Sequence, residues 1–464
     1  MSEKMELPKG WILDYLGEYI VKGGGTVDPS RFKDEEFELY SIPAYDSQVP
    51  EIVNGVQIGS TKKVVQDNDV LLSRIVPHIQ RSWVVPATHG KRKIGSGEWI
   101  IFRGNTFTPK YLRFFLLSYE FHQKFMKTIS GVGGSLTRAN PNQVALFPIP
   151  LPPLHEQYRI IAKIEELFSS LDKGVENLKT AQGQLKTYRQ AVLKWAFEGK
   201  LTNEDVKDGE LPEGWKWKRV SEISRVVRGG SPRPAGDPRY YNGIIPFLKV
   251  ADLTKDEKVY LTTFEYTIKE AGLHKTRQIE PNTLLLTNSG ATLGVPKICM
   301  INATMNDGIA AFLDLDKRSL CYLFYFWVSK TRELRTINQG AAQPNLNTEI
   351  IKNYEVAFPP TFEEQSLIVS EIEKRLSVCN KLEESIAQSL LQAEALRQSI
   401  LKKAFEGKLV PQDPDDEPAS VLLQWIKAER AAVVAKKCNS WRKKCDKCCW
   451  GTWNAGWETG QEEG

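Results

Sequence analysis

Two apolar runs in this chain each open into a cluster of hydrogen-bonding side chains. Val70-Leu-Leu leads into Ser73, Arg74, His78, Gln80 and Arg81, and Leu284-Leu-Leu leads into Thr287, Asn288, Ser289 and Thr292. A second cluster joins Arg228, Ser231 and Arg233, loosely matched by Lys22 and Thr26, and a third joins Lys249 with Asp252. Guanidinium, ammonium, amide and hydroxyl groups on loops suit recognition: hydrogen bonds to base edges and positive charge against phosphate. Each of these side chains also has the plainer reading of a solvated loop residue.

Groups that make or break bonds leave other marks, and those are missing. There is no Gly-x4-Gly-Lys-Ser/Thr phosphate loop, no His-Glu-x-x-His metal motif, no Asn-Pro-Pro-Tyr or Asp-Pro-Pro-Tyr, and no Gly-x-Gly-x-x-Gly between strand and helix. Gly131-Val-Gly-Gly-Ser135 and Gly23-Gly-Gly-Thr26 lack a lysine at motif spacing and read as tight turns. His155 opens a helical pattern whose repeat counterpart is Glu363, which argues for helix-start solvation over general-base work. Cys299, Cys321 and Cys379 are isolated and read as buried thiols. Cys438, Cys445, Cys448 and Cys449 have two-residue spacing that zinc accepts, but two are adjacent and no second pair exists, so no metal site is expected.

At 464 residues with 41% hydrophobic, 26% charged and 10% aromatic residues, the chain has the make-up of a folded protein with about two cores. The net charge of +5 leans toward a polyanionic partner, although many cytosolic enzymes share it. Met1 to Gly10 has no apolar stretch, and Leu320 to Val328 is far shorter than the roughly 20 residues a bilayer demands, so a cytoplasmic protein is expected.

The chain is written twice. Arg189-Gln-Ala-Val-Leu-Lys-Trp-Ala-Phe-Glu-Gly-Lys-Leu201 returns 208 residues later as Arg397-Gln-Ser-Ile-Leu-Lys-Lys-Ala-Phe-Glu-Gly-Lys-Leu409. Leu7-Pro-Lys-Gly-Trp11 returns as Leu211-Pro-Glu-Gly-Trp215, and Leu151-Pro-Pro-Leu-His-Glu-Gln157 as Pro359-Pro-Thr-Phe-Glu-Glu-Gln365. Ordered matches at nearly constant spacing imply two copies of one unit. Between them the copies diverge, with faint parallels in Val70-Leu-Leu-Ser-Arg74 against Leu284-Leu-Leu-Thr-Asn288 and Gly24-Gly-Thr26 against Gly229-Gly-Ser231.

Each globular stretch reads as short strands broken by Gly, Pro and Asn, with a helical piece near Lys110 to Thr128 and near Leu320 to Thr336: a mixed α/β domain. A long helix follows each Pro-Pro break, and Thr361 with Glu364 fits a capping box. Ile161, Ile164, Phe168, Leu171, Val175, Leu178, Leu185 and Val192 keep three-four spacing, interrupted by Gln182 and Arg189. Val369, Ile372, Leu376, Cys379, Ile386, Leu390, Ala393 and Ile400 keep the same register, interrupted by Glu383 and Arg397. Either each helix packs on its own domain or the two pair. About 40 residues at ~1.5 Å each span close to 60 Å, more than a small domain covers, which favours antiparallel pairing. Gly174 and Gly183 predict a bend or fraying in the first helix.

Two divergent halves, each closed by Pro-Pro, Glu-Gln, a long helix and Ala-Phe-Glu-Gly-Lys-Leu, resemble the specificity subunit of type I restriction-modification enzymes over roughly residues 7 to 430, with Lys427-Ala-Glu-Arg-Ala431 as a further mark. The resemblance implies two target-recognition domains joined by an antiparallel two-helix coiled coil in a pseudo-twofold repeat. The expected segments are a first recognition domain over 1–154, a long helix over 155–198, a linker over 199–210, a second recognition domain over 211–361, a second helix over 362–406, and a C-terminal segment over 407–464. From Trp441 onward the tail departs from the family. By the same resemblance the chain is a non-catalytic DNA-binding subunit of a bipartite target, and its partners are double-stranded DNA, two modification (methyltransferase) subunits and restriction subunits. It binds no cofactor itself, while S-adenosylmethionine, ATP and Mg²⁺ belong to those partners. The clusters named above then lie near DNA. The other reading is a protein-protein adaptor with two binding domains on a coiled-coil spacer, which exposed aromatic patches in place of basic loops would favour.

Overall fold

The computed structural model describes residues 7–432 apart from 24, 88–89, 131–136, 204, 291, 338–345 and 430. The chain divides into two compact units, Met1–Glu176 with Leu390–Gly464, and Asn177–Ser389. Both long helices, Leu154–Phe197 and Phe362–Phe405, are unbroken, and each contributes residues to both units. The Cys438–Cys449 cluster and the Gly131–Ser135 turn lie outside the described residues.

In the first unit Ile12–Tyr15 pairs antiparallel with Pro148–Leu151, which brings the two ends of the globular stretch together. Between them lie a five-stranded sheet, in the order Thr26–Val27, Lys62–Val64, Arg92–Gly95, Glu36–Tyr40, Glu51–Asn54, and a three-stranded sheet with Val70–Ser73 between Ser82–Val84 and Trp99–Phe102. Val70–Ser73 is buried at every residue, as a run without polar alternation requires when both faces are covered. The expected helical piece is two helices, Pro109–Leu116 and Tyr119–Met126, because the Ser118 hydroxyl caps the second by accepting from the Phe121 N–H.

The second unit repeats this frame. Lys216–Arg219 pairs with Glu355–Phe358, and the wholly buried Thr283–Thr287 lies between Ile309–Leu313 and Pro296–Cys299. Tyr266–Ile268, Tyr241–Leu248, Ala303–Met305 and Arg277–Ile279 form a separate four-stranded sheet. The helix Leu320–Ile337 buries Tyr322, Leu323, Phe326 and Trp327. Cys299 and Cys379 are buried, whereas Cys321 is only half-buried, because its helix turns that face toward the Tyr260 hydroxyl at 3.6 Å.

The repeated motifs are the joints of each unit. The Trp11 indole N–H donates to Glu156 Oε2 at 3.0 Å, and Trp215 donates to Glu364 Oε1 at 2.7 Å. Gln157 then fastens the first long helix, accepting from the Thr108 N–H and donating to the Thr106 carbonyl. The capping box at the second helix is half realised. The Glu364 N–H donates to the Thr361 hydroxyl at 3.2 Å, but the Glu364 carboxylate is taken by Trp215. His155 and Glu363, at the two helix starts, are both exposed.

Each helix ends in a left-handed glycine, with φ of +77° at Gly199 and +69° at Gly407. A side chain there would run into Pro212 at Gly199 and Pro8 at Gly407, so Ala-Phe-Glu-Gly-Lys-Leu packs on Leu-Pro-x-Gly-Trp. In the first unit Ile400, Leu401, Ala404 and Phe405 join the core with Ile160, Ile161 and Ile164. In the second, Val192, Leu193, Ala196 and Phe197 join Ile368 and Ile372. Each globular part is therefore covered by the start of its own helix and the end of the other.

Between these anchors the helices pair antiparallel within each unit. Arg397 crosses to Asp172 and lies over the Phe168 ring at 4.3 Å, while Arg189 crosses to Asn380 and Glu383, reaching Glu383 at 2.9 and 3.1 Å. Asp172 and Asn380 stand 208 residues apart, as do the two arginines, so the crossings are repeat-related. The expected stripe is at least half-buried at every position, and the arginines that interrupt it pair across the interface. Gln182 is exposed and Ala181 takes the inward place. Neither Gly174 nor Gly183 breaks the helix. Residues 419–429 form a further helix, reaching Lys427-Ala-Glu and tied to the Gly10 carbonyl by the Ala419 N–H. Among the described residues no helix is long and apolar enough to cross a membrane.

Candidate nucleic-acid interface

The buried central strand of each unit delivers one residue into the same backbone frame. The Arg74 N–H donates to the Glu98 carbonyl at 3.0 Å and the Arg74 carbonyl accepts from the Ala139 N–H at 2.8 Å. The Asn288 N–H donates to the Gly308 carbonyl at 2.9 Å and its carbonyl accepts from the Leu346 N–H at 2.7 Å. Arg74 and Asn288 are thus structural equivalents, as the faint sequence parallel suggests. Ile20 bridges Phe102 as Val226 pairs with Phe312, which sets Lys22 in the place of Arg228.

In the first unit the Glu98 carboxylate holds two arginines. Arg74 Nε donates at 2.9 Å and Arg138 Nη2 at 3.1 Å. Burial pushes the Glu98 carboxyl up, but hydrogen bonds from Arg138 and Arg74, together with their charge, outweigh it and hold the group below its ordinary value. Lys63 donates to the Trp99 carbonyl at 2.8 Å, and burial followed by the charge of Arg74 pushes its ammonium down. Thr26 is exposed on the strand paired with Lys63, and Lys22 is exposed. Ser73 is buried, its hydroxyl donating to the Ile75 carbonyl.

His78, Gln80 and Arg81 sit on a strained turn. Val76 and Gln80 hold left-handed φ of +49° and +51°, and a β-branched residue there costs on the order of 1–3 kcal/mol. The Val76 N–H donates to the Thr137 carbonyl at 3.2 Å, so the conformation is tied from outside the turn. His78 is exposed, and Arg81 is mostly buried with its Nε 3.8 Å from Asp46, too long for a hydrogen bond.

In the second unit the turn Asn306-Asp307-Gly308 gathers clusters that are far apart in sequence. Arg228 Nε donates to the Asp307 carbonyl at 2.6 Å, Ser231 Oγ to Asp307 Oδ1 at 2.6 Å, and Arg233 Nη2 to Asp307 Oδ2 at 3.2 Å. Burial raises the Asp307 carboxyl, but the Ser231 hydrogen bond, its own backbone N–H and the charges of Arg233 and Arg228 together lower it below the ordinary value. A side chain at Gly308 would meet Val250 and the Ser289 hydroxyl, which brings in the other two clusters. Lys249 Nζ stands 3.2 Å from the centroid of the Tyr266 ring. Ser231, Arg233, Lys249, Tyr266, Asn306 and Asp307 are among the residues lining an open cleft of about 330 Å³.

Several expected residues act inward. Asp252 is buried, accepting from the Lys249 N–H at 2.8 Å and the Glu265 N–H at 3.1 Å, and so holds the loop that presents Lys249. The buried Thr287 hydroxyl donates to the Thr292 carbonyl and accepts from the Val295 N–H, fixing the turn at Ser289 and Thr292. Asn288 is fully buried, and neither of its side-chain amide atoms has a hydrogen-bond partner among the described residues. Sequence reasoning missed Glu98, Arg138, Asn306 and Asp307. Glu98, Asn306 and Asp307 each lie in a short polar turn just ahead of an apolar strand, Ser96-Gly-Glu before Trp99-Ile-Ile-Phe and Asn306-Asp-Gly before Ile309-Ala-Ala-Phe. That pattern does not by itself say which charges they meet, and Arg138 has no such mark.

The model of the type I restriction modification DNA specificity domain matches twice, over residues 11–180 and 212–392. The EcoBI type I restriction enzyme specificity subunit of Escherichia coli is 32% identical over 326 residues, covering 64% of this chain and 67% of that protein. The StySPI specificity subunit of Salmonella potsdam is 26% identical over 357 residues, covering 73% and 74%. The crystal structure of the HsdS subunit from Thermoanaerobacter tengcongensis superposes with a TM-score of 0.61 at 25% identity, over 88% of this chain and 99% of that one. A chain from a solved type I R-M system gives 0.71 at 24% identity over 87% and 100%, a likeness of fold.

Proposed function

The chain belongs to the type I restriction-modification DNA specificity family, and on that footing we propose that each unit reads one half of a bipartite DNA target. Its role is to supply DNA sequence specificity. The observation that carries the half-site reading is the duplicated frame at Arg74 and Asn288, where backbone hydrogen bonds are kept and side chains differ. A kept frame with changed contents is what two readers of different sequences need. Bidentate contacts to base edges discriminate by ~1–3 kcal/mol each, so a handful per unit suffices. Lys22, Thr26, Ser73, Arg74, His78, Gln80 and Arg81 are the candidates of the first unit. Those of the second are Arg228, Ser231, Arg233, Lys249, Asp252, Thr287, Asn288, Ser289 and Thr292. The buried members act by shaping the loops.

The paired helices act as a ruler. Each has 44 residues, and at ~1.5 Å per residue such a rod spans about 66 Å, close to two turns of B-DNA. The helices also dock the modification and restriction subunits, which carry S-adenosylmethionine, ATP and Mg²⁺, and the chain itself performs no chemistry. Basic and amide groups gathered at the turns favour this over a protein adaptor. The test is to exchange residues 211–358 for those of a relative and to map methylated adenines with the complete system. One half of the target should change, and a change in both halves, or in neither, refutes the modular reading.

A further inference from the structure

The geometry points to Glu98 and Asp307 as specificity-determining positioning residues, each fixing the arginines of one unit for one half-site. This rests on the half-site reading above. The two acids stand one residue apart in the same backbone frame. Ser73 pairs with Trp99 and Thr287 with Ile309, so Glu98 lies immediately before its strand and Asp307 two residues before. Arg74 and Asn288 hydrogen-bond the carbonyls of Glu98 and Gly308, which makes Glu98 equivalent to Gly308 and leaves Asp307 one step upstream. That one-residue shift turns the carboxylate to different targets. Glu98 reaches Arg74 just past the central strand and Arg138, next to the Ala139 that bonds the Arg74 carbonyl. Asp307 reaches Ser231 and Arg233, with Arg228 on its carbonyl.

Arg74, Arg138 and Arg233 keep 34%, 40% and 70% of their side chains exposed, so the acids orient guanidiniums that remain open to a ligand. An unrestrained arginine attracts any phosphate, whereas a guanidinium fixed through one edge presents its remaining donors in a set direction, as a bidentate base contact requires. The carboxylates also subtract charge at the site, which weakens indiscriminate backbone binding.

The test is Glu98→Gln and Asp307→Asn in the full chain, assembled with its modification subunits and presented with DNA randomised in either half of the target. Glu98→Gln should relax discrimination in the first unit's half by roughly tenfold or more and leave the other half unchanged, and Asp307→Asn should do the reverse. Total DNA affinity should hold or rise, with a steeper salt dependence. Loss of affinity with specificity intact, relaxation of both halves together, or no change in either half overturns the inference. Should Glu98→Gln fail to assemble, Glu98→Asp keeps the charge but is too short to serve both arginines, and the same half-selective relaxation is expected of it. The exchange of residues 211–358 runs in parallel. If it redirects one half while the acid variants change nothing, the positioning role fails alone, and if it redirects neither, the half-site reading fails.

Discussion

Replacing Gly174 and Gly183 with alanine should make the protein more stable and leave its target spacing unaltered. Both glycines are exposed inside the continuous helix Leu154–Phe197, and a Cβ at either would meet nothing within 4 Å. No contact is lost and no clash arises, so the change reduces to helix propensity and the entropy of the unfolded chain, about 1 kcal/mol per site. Nine positions apart, with no shared partner, the two should add to about 2 kcal/mol. For units of this size ~1 kcal/mol moves the melting midpoint by about 2–4 °C. Calorimetry on the single and double variants reads the shift, amide exchange across 170–187 reads helix fraying, and methylation mapping reads the gap. A midpoint that stays or falls, or faster exchange, refutes the packing argument. Gained stability with lost methylation refutes the proposed ruler role of a straight helix pair, because a bend at these glycines would then be part of the working cycle.

Glycines at the helix ends should respond with the opposite sign. Gly199→Ala and Gly407→Ala place a side chain at left-handed φ against Pro212 and Pro8, and each should cost at least ~1–2 kcal/mol, seen as a lower urea midpoint. Equal or greater stability in either variant would contradict the motif-on-motif joint. At Glu156, burial raises the carboxyl above its ordinary 4.5, the Trp11 hydrogen bond and Arg159 lower it in part, and Oε1 is buried without a partner among the described residues. A raised folded value means that this group's stabilising contribution is present below the unfolded value and is lost as pH rises through the folded one. Glu156→Gln should therefore be at least as stable as the parent at pH 7 and remove this group's part of the fall in melting midpoint as pH rises above 4.5. A clear loss of stability at pH 7 would show that the ionised carboxylate is needed at the Trp11 joint.

The duplicated motifs, the two long helices and the inward stripe were legible in the sequence, because repetition and three-four spacing are local, linear properties. Val70-Leu-Leu and Leu284-Leu-Leu announced buried central strands for the same reason: an unbroken apolar run has to be covered on both faces. Glu98, Arg138 and Asp307 were not legible. Asp307 lies 74 residues from Arg233 and 79 from Arg228, and a carboxylate in a turn looks like any solvated acid until strand register sets it against its arginines. The helix interruptions followed the same rule. Their spacing marked Arg189 and Arg397 as breaks in the stripe, but only the fold put Glu383 and Asp172 opposite them. Local chemistry and periodicity determined which elements form and which faces they bury. Which charges meet was decided by tertiary structure alone, because an ion pair depends on distance in space, and nothing in the order of residues encodes that distance until the strands and helices are in register.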